Sequence, residues 1–296
     1  MALALLTTTA FEKDSPVPIS ARLNPMNFKS ICSLTALCAA PLLAQLSPPN
    51  AQGVTMGHMH LNTRDVAAQK AFFVDALGGK LVRNGPIEMV EFPGVYLLFT
   101  KADNPPTSRG SIVDHFGFTV KDMPGSIDKW KKLGLTIEPT ANPNEVFVVG
   151  PEEMRIEVYG IPEQAAPVVM NHIHWNIADI PGMQAWYDKT FGATTGQRDC
   201  IACLPRKVPL EEGRLAGTSL SYSRGAATLV GSKGRGIDHI GFEVRNLDAF
   251  VKNLEAQGIR MDAAVRQLPG SDLKIAFLTD PYGTYIELTE GLQPKK

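Results

Sequence analysis

Residues 238–258 read DHIGFEVRNLDAFVKNLEAQG, and the apolar period changes halfway along. Ile240, Phe242 and Val244 alternate, which puts them on one face of a strand. Leu247, Phe250, Val251 and Leu254 then fall at i, i+3, i+4 and i+7, the stripe of a helix that faces a core. Asn246 stands where a side chain caps the first helical turn, and Gly258 where a left-handed residue ends the last. The segment therefore predicts a strand, a corner and a helix.

The same layout occurs three more times, at 57–79, 114–134 and 171–192. In each, a histidine opens an alternating run: His58, His115, His172 and, in the quoted stretch, His239. Asp65, Asp122, Asp179 or Asn246 follows seven residues later, and Gly78, Gly134, Gly192 or Gly258 at nineteen or twenty. After Gly258 come IRMDAAVRQL, LKIAFLT and TYIELTE, with DPYG as a turn; after Gly134 come LTIEPT, EVFVVG and MRIEVYG, with GPEE as the turn. These read as strands, so the expectation is an α+β protein of four βαβββ units. Taken in order, the units make two domains, 54–162 and 168–291, with a linker at 163–167 and a tail at 292–296.

The chain of 296 residues carries 29 basic and 30 acidic side chains, net −1, which leaves no electrostatic footprint for nucleic acid or an anionic membrane. Residues 1–53 read as an upstream extension followed by a signal peptide. Lys29 precedes an apolar run from Ile31 to Leu46, with cleavage expected near Ala44. That run is short for a membrane span and carries Pro41 centrally, so the mature protein is expected to be secreted or periplasmic, with no membrane partner. Cys32 and Cys38 would leave with the signal. Cys200 and Cys203 remain as a C-x-x-C pair, which reads as a local disulfide, with a redox couple as the alternative.

From residue 54 onward, the paired units opening with histidine and closing with I-E-V or I-E-L resemble the vicinal oxygen chelate superfamily, which includes glyoxalase I, bleomycin resistance proteins and extradiol dioxygenases. DHIGFEV and DPYGTYIEL carry the resemblance most specifically. It implies two glyoxalase-like domains, each an open, cup-shaped mixed sheet with a divalent metal at its base.

The residues argue for metal on their own account. Glu157 and Glu287 each sit between apolar neighbours on a closing strand, poor core material unless paired or metal-bound. The expected ligand sets are His58, His115 and Glu157 in the first domain and His172, His239 and Glu287 in the second. Two histidines and a carboxylate suit Fe(II) or Mn(II) first, with Zn, Ni or Mg as alternatives. His60 and His174 complete H-x-H and share the strand face of His58 and His172. They are candidates for acid–base groups, for further ligands or for hydrogen bonders that orient a ligand.

Two departures from the family matter. Strands 94–100 and 217–223 lack the glutamate that the resemblance to glyoxalase I would place there as fourth ligand and base, and Phe277 and Phe147 stand where the resemblance to extradiol dioxygenases implies tyrosine. The expected function is an exported metalloenzyme, dioxygenase-like or lyase-type, acting on a small molecule with adjacent oxygens. A non-catalytic sequestering protein and a glyoxalase-like isomerase are the alternatives, and a homodimer is the expected assembly.

Overall fold

Four successive stretches each run strand, helix, three strands in the computed structural model, which describes residues 46–199, 209–226 and 229–294. The first holds β1 (Val54–Thr63), α1 (Val66–Ala71), β2 (Lys80–Asn84), β3 (Ile87–Phe92) and β4 (Val95–Lys101), with α1 running on as a π-helical segment, Phe72–Ala76. The second holds β5 (Val113–Val120), α2 (Met123–Lys132), β6 (Thr136–Pro139), β7 (Glu145–Val149) and β8 (Arg155–Gly160). Next come β9 (Val168–Ile177), α3 (Ile180–Phe191), β10 (Thr194–Asp199), β11 (Pro209–Leu215) and β12 (Thr218–Arg224). The last has β13 (Ile237–Val244), α4 (Leu247–Ala256), β14 (Met261–Gln267), β15 (Lys274–Thr279) and β16 (Tyr285–Glu290). Each helix starts at its expected cap: the side chains of Asp65, Asp122, Asp179 and Asn246 each accept, at 3.0 Å, from the backbone N–H three residues on.

The strands form two eight-stranded mixed sheets, ordered β14-β15-β16-β13-β1-β4-β3-β2 and β10-β11-β12-β9-β5-β8-β7-β6. In both, the opening strands of two units pair antiparallel at the centre, β1 with β13 and β5 with β9, and each is flanked by its own unit's last strand in parallel. The two sheets make the two open mixed-sheet domains expected, but their composition differs from the sequence-order grouping into 54–162 and 168–291. The first unit shares a sheet with the fourth, and the second with the third. Connection length gives the reason. Residues 161–167, which contain the expected linker 163–167, form the shortest of the three inter-unit connections and join β8 to β9 inside one sheet. The longer connections, 102–112 and 225–236, carry the chain between sheets.

One core serves both sheets. Ile240 and Phe242 of β13 and Phe116 and Phe118 of β5 are buried on the helix-covered faces. Rings from the two sheets' units meet there: Phe73 stacks on Phe116 at 6.2 Å, Phe92 lies 4.7 Å from Phe118, and Phe191 lies 4.8 Å from Phe242. Strand alternation then turns the opening histidines to the other face of each sheet. Residues 46–53, grouped with the leader in the sequence reading, belong to the fold. Leu46 is buried beside Leu273 and Leu292, and the Asn50 amide donates to the carbonyls of Phe191 and Gly192 at 2.8 and 3.0 Å. Residues 1–45 and the Cys200–Cys203 pair lie outside the described residues. Among those described, no helix is long and apolar enough to cross a membrane.

Candidate metal centres

The central strand pairs fix which histidines meet. In β1–β13, His60 stands opposite His239 and His58 opposite Gly241. In β5–β9, His115 stands opposite His174 and Gly117 opposite His172. The parallel neighbours bring in the carboxylates, Glu287 beside Gly241 and Glu157 beside Gly117. Two groups of potential donors result: His58, His60, His239 and Glu287, and His115, Glu157, His172 and His174. All eight residues singled out from the sequence are in one of them. The partners are exchanged, however: His58 meets His239 and Glu287, not His115 and Glu157, because the first and fourth units share a sheet.

In the first centre the Nε2 atoms of His58 and His239 lie 2.9 and 2.8 Å from the same oxygen, Oε2 of Glu287. All three side chains are buried. Burial pushes the Glu287 carboxyl up, but the hydrogen bonds and charge of His239 and His58 outweigh it and hold the group well below the usual carboxylate range. His239 is desolvated as well, yet Asp238 and Glu287 raise it, Asp238 Oδ2 lying 2.6 Å from Nδ1. Burial lowers His58 despite the pull of Glu287. His60 is lowered further, by burial and then by His239, and its Nε2 sits 2.7 Å from Thr100 Oγ1. Its Nδ1 is buried without a hydrogen-bond partner. The ring of His239 stands edge-on to Phe277 and Tyr285, and the Lys233 ammonium lies 4.1 Å over Tyr285. A cavity of about 450 Å³ opens onto this centre, with Leu98, Phe99 and Ile275 in its wall and Arg266 among its lining residues.

The second centre repeats the plan. His115 and His172 place Nε2 atoms 3.1 and 2.8 Å from Glu157 Oε2. Burial would raise Glu157, but His115 and His172 drive it far below the usual range. Asp114 Oδ2 lies 2.7 Å from His115 Nδ1, and Asn171 Oδ1 lies 2.8 Å from His172 Nδ1. His174 is pushed down to about 3, by burial and then by His115, and contacts Ser223 Oγ at 2.7 Å. Phe147 stands edge-on to His115, with the Arg155 guanidinium 3.8 Å from the Phe147 ring centre. Glu145, which has no charged counterpart in the first centre, is raised to about 8 by burial and then by its hydrogen bond to Glu157.

The donor sets fit a divalent metal. Donors about 2.1 Å from an ion and at right angles to one another are about 3 Å apart, which is the spacing of the imidazole and carboxylate atoms here. Three imidazoles and one carboxylate form a borderline set suited to Fe(II), Mn(II), Ni(II) or Zn(II). Asp238, Asp114 and Asn171 also hold the opposite ring nitrogens, which fixes the tautomer that offers Nε2 to a metal.

Sequence reasoning passed over the residues that shape these centres. Asp238 and Asp114 had a signal, the repeated D-H dipeptide in DHIGF and DHFGF. So did the glycine two residues after each of those histidines. A Cβ on Gly241 would lie 1.9 Å from His58 Nδ1, and one on Gly117 2.3 Å from His172 Cε1. Glycine is needed there because the facing imidazole lies directly over its Cα. Thr100, Ser223 and Glu145 gave no signal, since each acts only across a strand pair.

This chain belongs to the Glyoxalase/Bleomycin resistance protein/Dioxygenase superfamily, whose profile matches residues 112–288, more than half of the sequence. Its fold is similar to glyoxalase I from Zea mays, with a TM-score of 0.62 at 18% identity over 80% of this chain and 92% of that one. It is also similar to a dioxygenase candidate from Bacillus subtilis subsp. subtilis, with a TM-score of 0.61 at 13% identity over 85% and 87% of the two chains. At those identities the likeness is one of fold. No curated protein sequence matches.

Proposed function

We propose that this chain is a metal-dependent enzyme that binds a small molecule through adjacent oxygens on a divalent ion and runs a dioxygenase-like or lyase-type reaction. One observation carries the reading: in each sheet, two buried imidazoles converge on a single carboxylate oxygen, with a third imidazole beside them. In the first centre His58, His239 and Glu287 hold the ion, and Asp238 keeps His239 in register. A bound ion polarises the chelated oxygens and stabilises the charge that develops on them. His60 stays neutral in its buried position, and in the tautomer whose Nε2–H donates to Thr100 Oγ1, Nδ1 is the atom that joins the donors or accepts a proton. Leu98 and Phe99 keep the site apolar and so strengthen electrostatic interactions within it.

Export completes the reading and rests on the segment from Met26, with Lys29 ahead of the apolar run. Amino-terminal sequencing of the mature protein would then start close to Gln45.

Elemental analysis of anaerobically purified protein tests the proposal. Two equivalents of metal per chain are expected, falling to one in Glu287→Gln. Stoichiometric capture of a small ligand by metal-free protein, with that substitution silent, would make this a sequestering protein. A glyoxalase-like isomerase would need His60 or His174 as its base, and normal turnover by the His60→Ala/His174→Ala variant excludes it.

A further inference from the structure

The two centres share donors but not surroundings, and strand register allows a residue-by-residue comparison. Leu98 faces His60 across β4–β1, and Ser221 faces His174 across β12–β9. Tyr96 and Ser219 match in the same way, facing His58 and His172. Phe277 pairs with Glu287 and Phe147 with Glu157, so Ile275 and Glu145, each two residues earlier on its strand, correspond as well. Glu212 lies opposite Ser221, and Met89 takes the matching place when the β3–β4 register is continued by one residue. Met89, Leu98 and Ile275 are buried in an apolar cluster of their own on the histidine face, together with Tyr96, Leu273 and Leu292. Their counterparts Glu212, Ser221 and Glu145 are buried too, but they are polar, and among the described residues no such apolar cluster covers that face.

We propose that the two centres have divided roles. The centre of His58, His60, His239 and Glu287 receives an oxygen-chelating ligand with a hydrocarbon body, and the centre of His115, Glu157, His172 and His174 holds metal without accepting such a body. This rests on the metal-chelating reading above. A hydrocarbon chain entering the first centre leaves water for contact with Leu98 and Ile275, which favours binding. The same chain at the second centre would lie against the buried polar side chains of Glu145, Glu212 and Ser221, which offer it no apolar surface to replace the water it leaves. Asn171 adds to the contrast. It gives His172 an acceptor for Nδ1, whereas Gly57 precedes His58, whose Nδ1 is buried without one. The second centre is therefore the better pre-oriented for retaining an ion, and the first is the one shaped for a ligand.

The full chain loaded with Co(II) and titrated with two hydroxamates, acetohydroxamate and octanohydroxamate, tests this division through the visible spectrum of the metal. Each added methylene that becomes buried is worth roughly fourfold in affinity, so burying about three of the six that octanohydroxamate adds to acetohydroxamate should tighten binding at the first centre about sixtyfold. The preference should survive His115→Ala and vanish in His239→Ala. It should also fall several-fold in Leu98→Ser, which keeps every donor and copies the second centre's residue while Met89 and Ile275 stay apolar. Equal binding of the two hydroxamates to the unmodified chain, a preference undiminished in Leu98→Ser, or one that persists in His239→Ala, overturns the division while leaving metal binding intact. Failure to take up Co(II) at all overturns the metal reading itself, and the division with it.

Discussion

At the scale of single residues, the glycines opposite the opening histidines are the most restrictive positions in the molecule. Gly241 has no room for a methyl group because the His58 ring occupies that space. Gly241→Ala is expected to displace His58, to cost about 1–3 kcal/mol of stability as overpacking does, and to remove one of two metal equivalents. Denaturant unfolding and metal analysis of the same preparation check both effects. Titration gives a second prediction, for metal-free protein. His239 and His115 are raised above 6.5, so what they add to stability is complete below that value and is lost as pH rises through their folded values. Glu145, raised to about 8, also binds its proton more tightly folded than unfolded, so its effect has the same sign. Metal-free protein should thus lose stability between pH 6.5 and about 8, and Glu145→Gln should flatten part of that slope in thermal melts. The donors themselves were legible because histidine is scarce and recurs at one register. Their orienting partners were not, since Thr100 and Ser223 look like any strand hydroxyl until the neighbouring strand is placed.

At the scale of elements, period and capping carried almost everything. The change from alternation to a helical stripe located β13 and α4, and the capping residues marked the helix starts closely. Asn246→Ala should cost about 1 kcal/mol in denaturant unfolding, through the lost bond to the Ala249 N–H, and leave metal content unchanged because α4 covers the face away from the histidines. The π-helical segment Phe72–Ala76 was not legible. Phe72 and Phe73 are both buried there, Phe73 on Phe116 and Phe72 against Gly150, so partners from the second unit shape the turn. Local propensity carries no trace of such distant packing.

At the scale of the whole molecule, the pairing of units decides which residues act together. His58 and Glu287 are 229 positions apart, yet they share one centre, whereas His58 and Glu157 belong to different ones. The double variant His58→Ala/Glu287→Gln should therefore lose one metal equivalent, no more than either single change, while His58→Ala/Glu157→Gln should lose two. Sequential pairing of units would reverse those results. The sequence revealed the number of units and their internal order, because each unit carries its own periodicity. It did not reveal their partners, because the opening strands β1, β5, β9 and β13 are near-equivalent and any two could pair. The short 161–167 connection was the available signal, and its Pro and Ala content made it look like a spacer between domains instead.

The nesting of the second and third units between the first and fourth also sets a timetable for synthesis. The centre of His115, Glu157, His172 and His174 is complete once the third unit has emerged, from contacts close in sequence. Its counterpart has to wait for the last stretch of chain, which supplies His239 and Glu287 and pairs β13 with β1 across the whole length of the protein. Until then β1 is an open edge next to Met89, Tyr96 and Leu98, apolar side chains that lack their partners from the last unit, a surface that invites association with other nascent chains. A chain truncated before residue 237 would keep that edge permanently, and so accumulate in aggregates even with one of its two centres fully assembled.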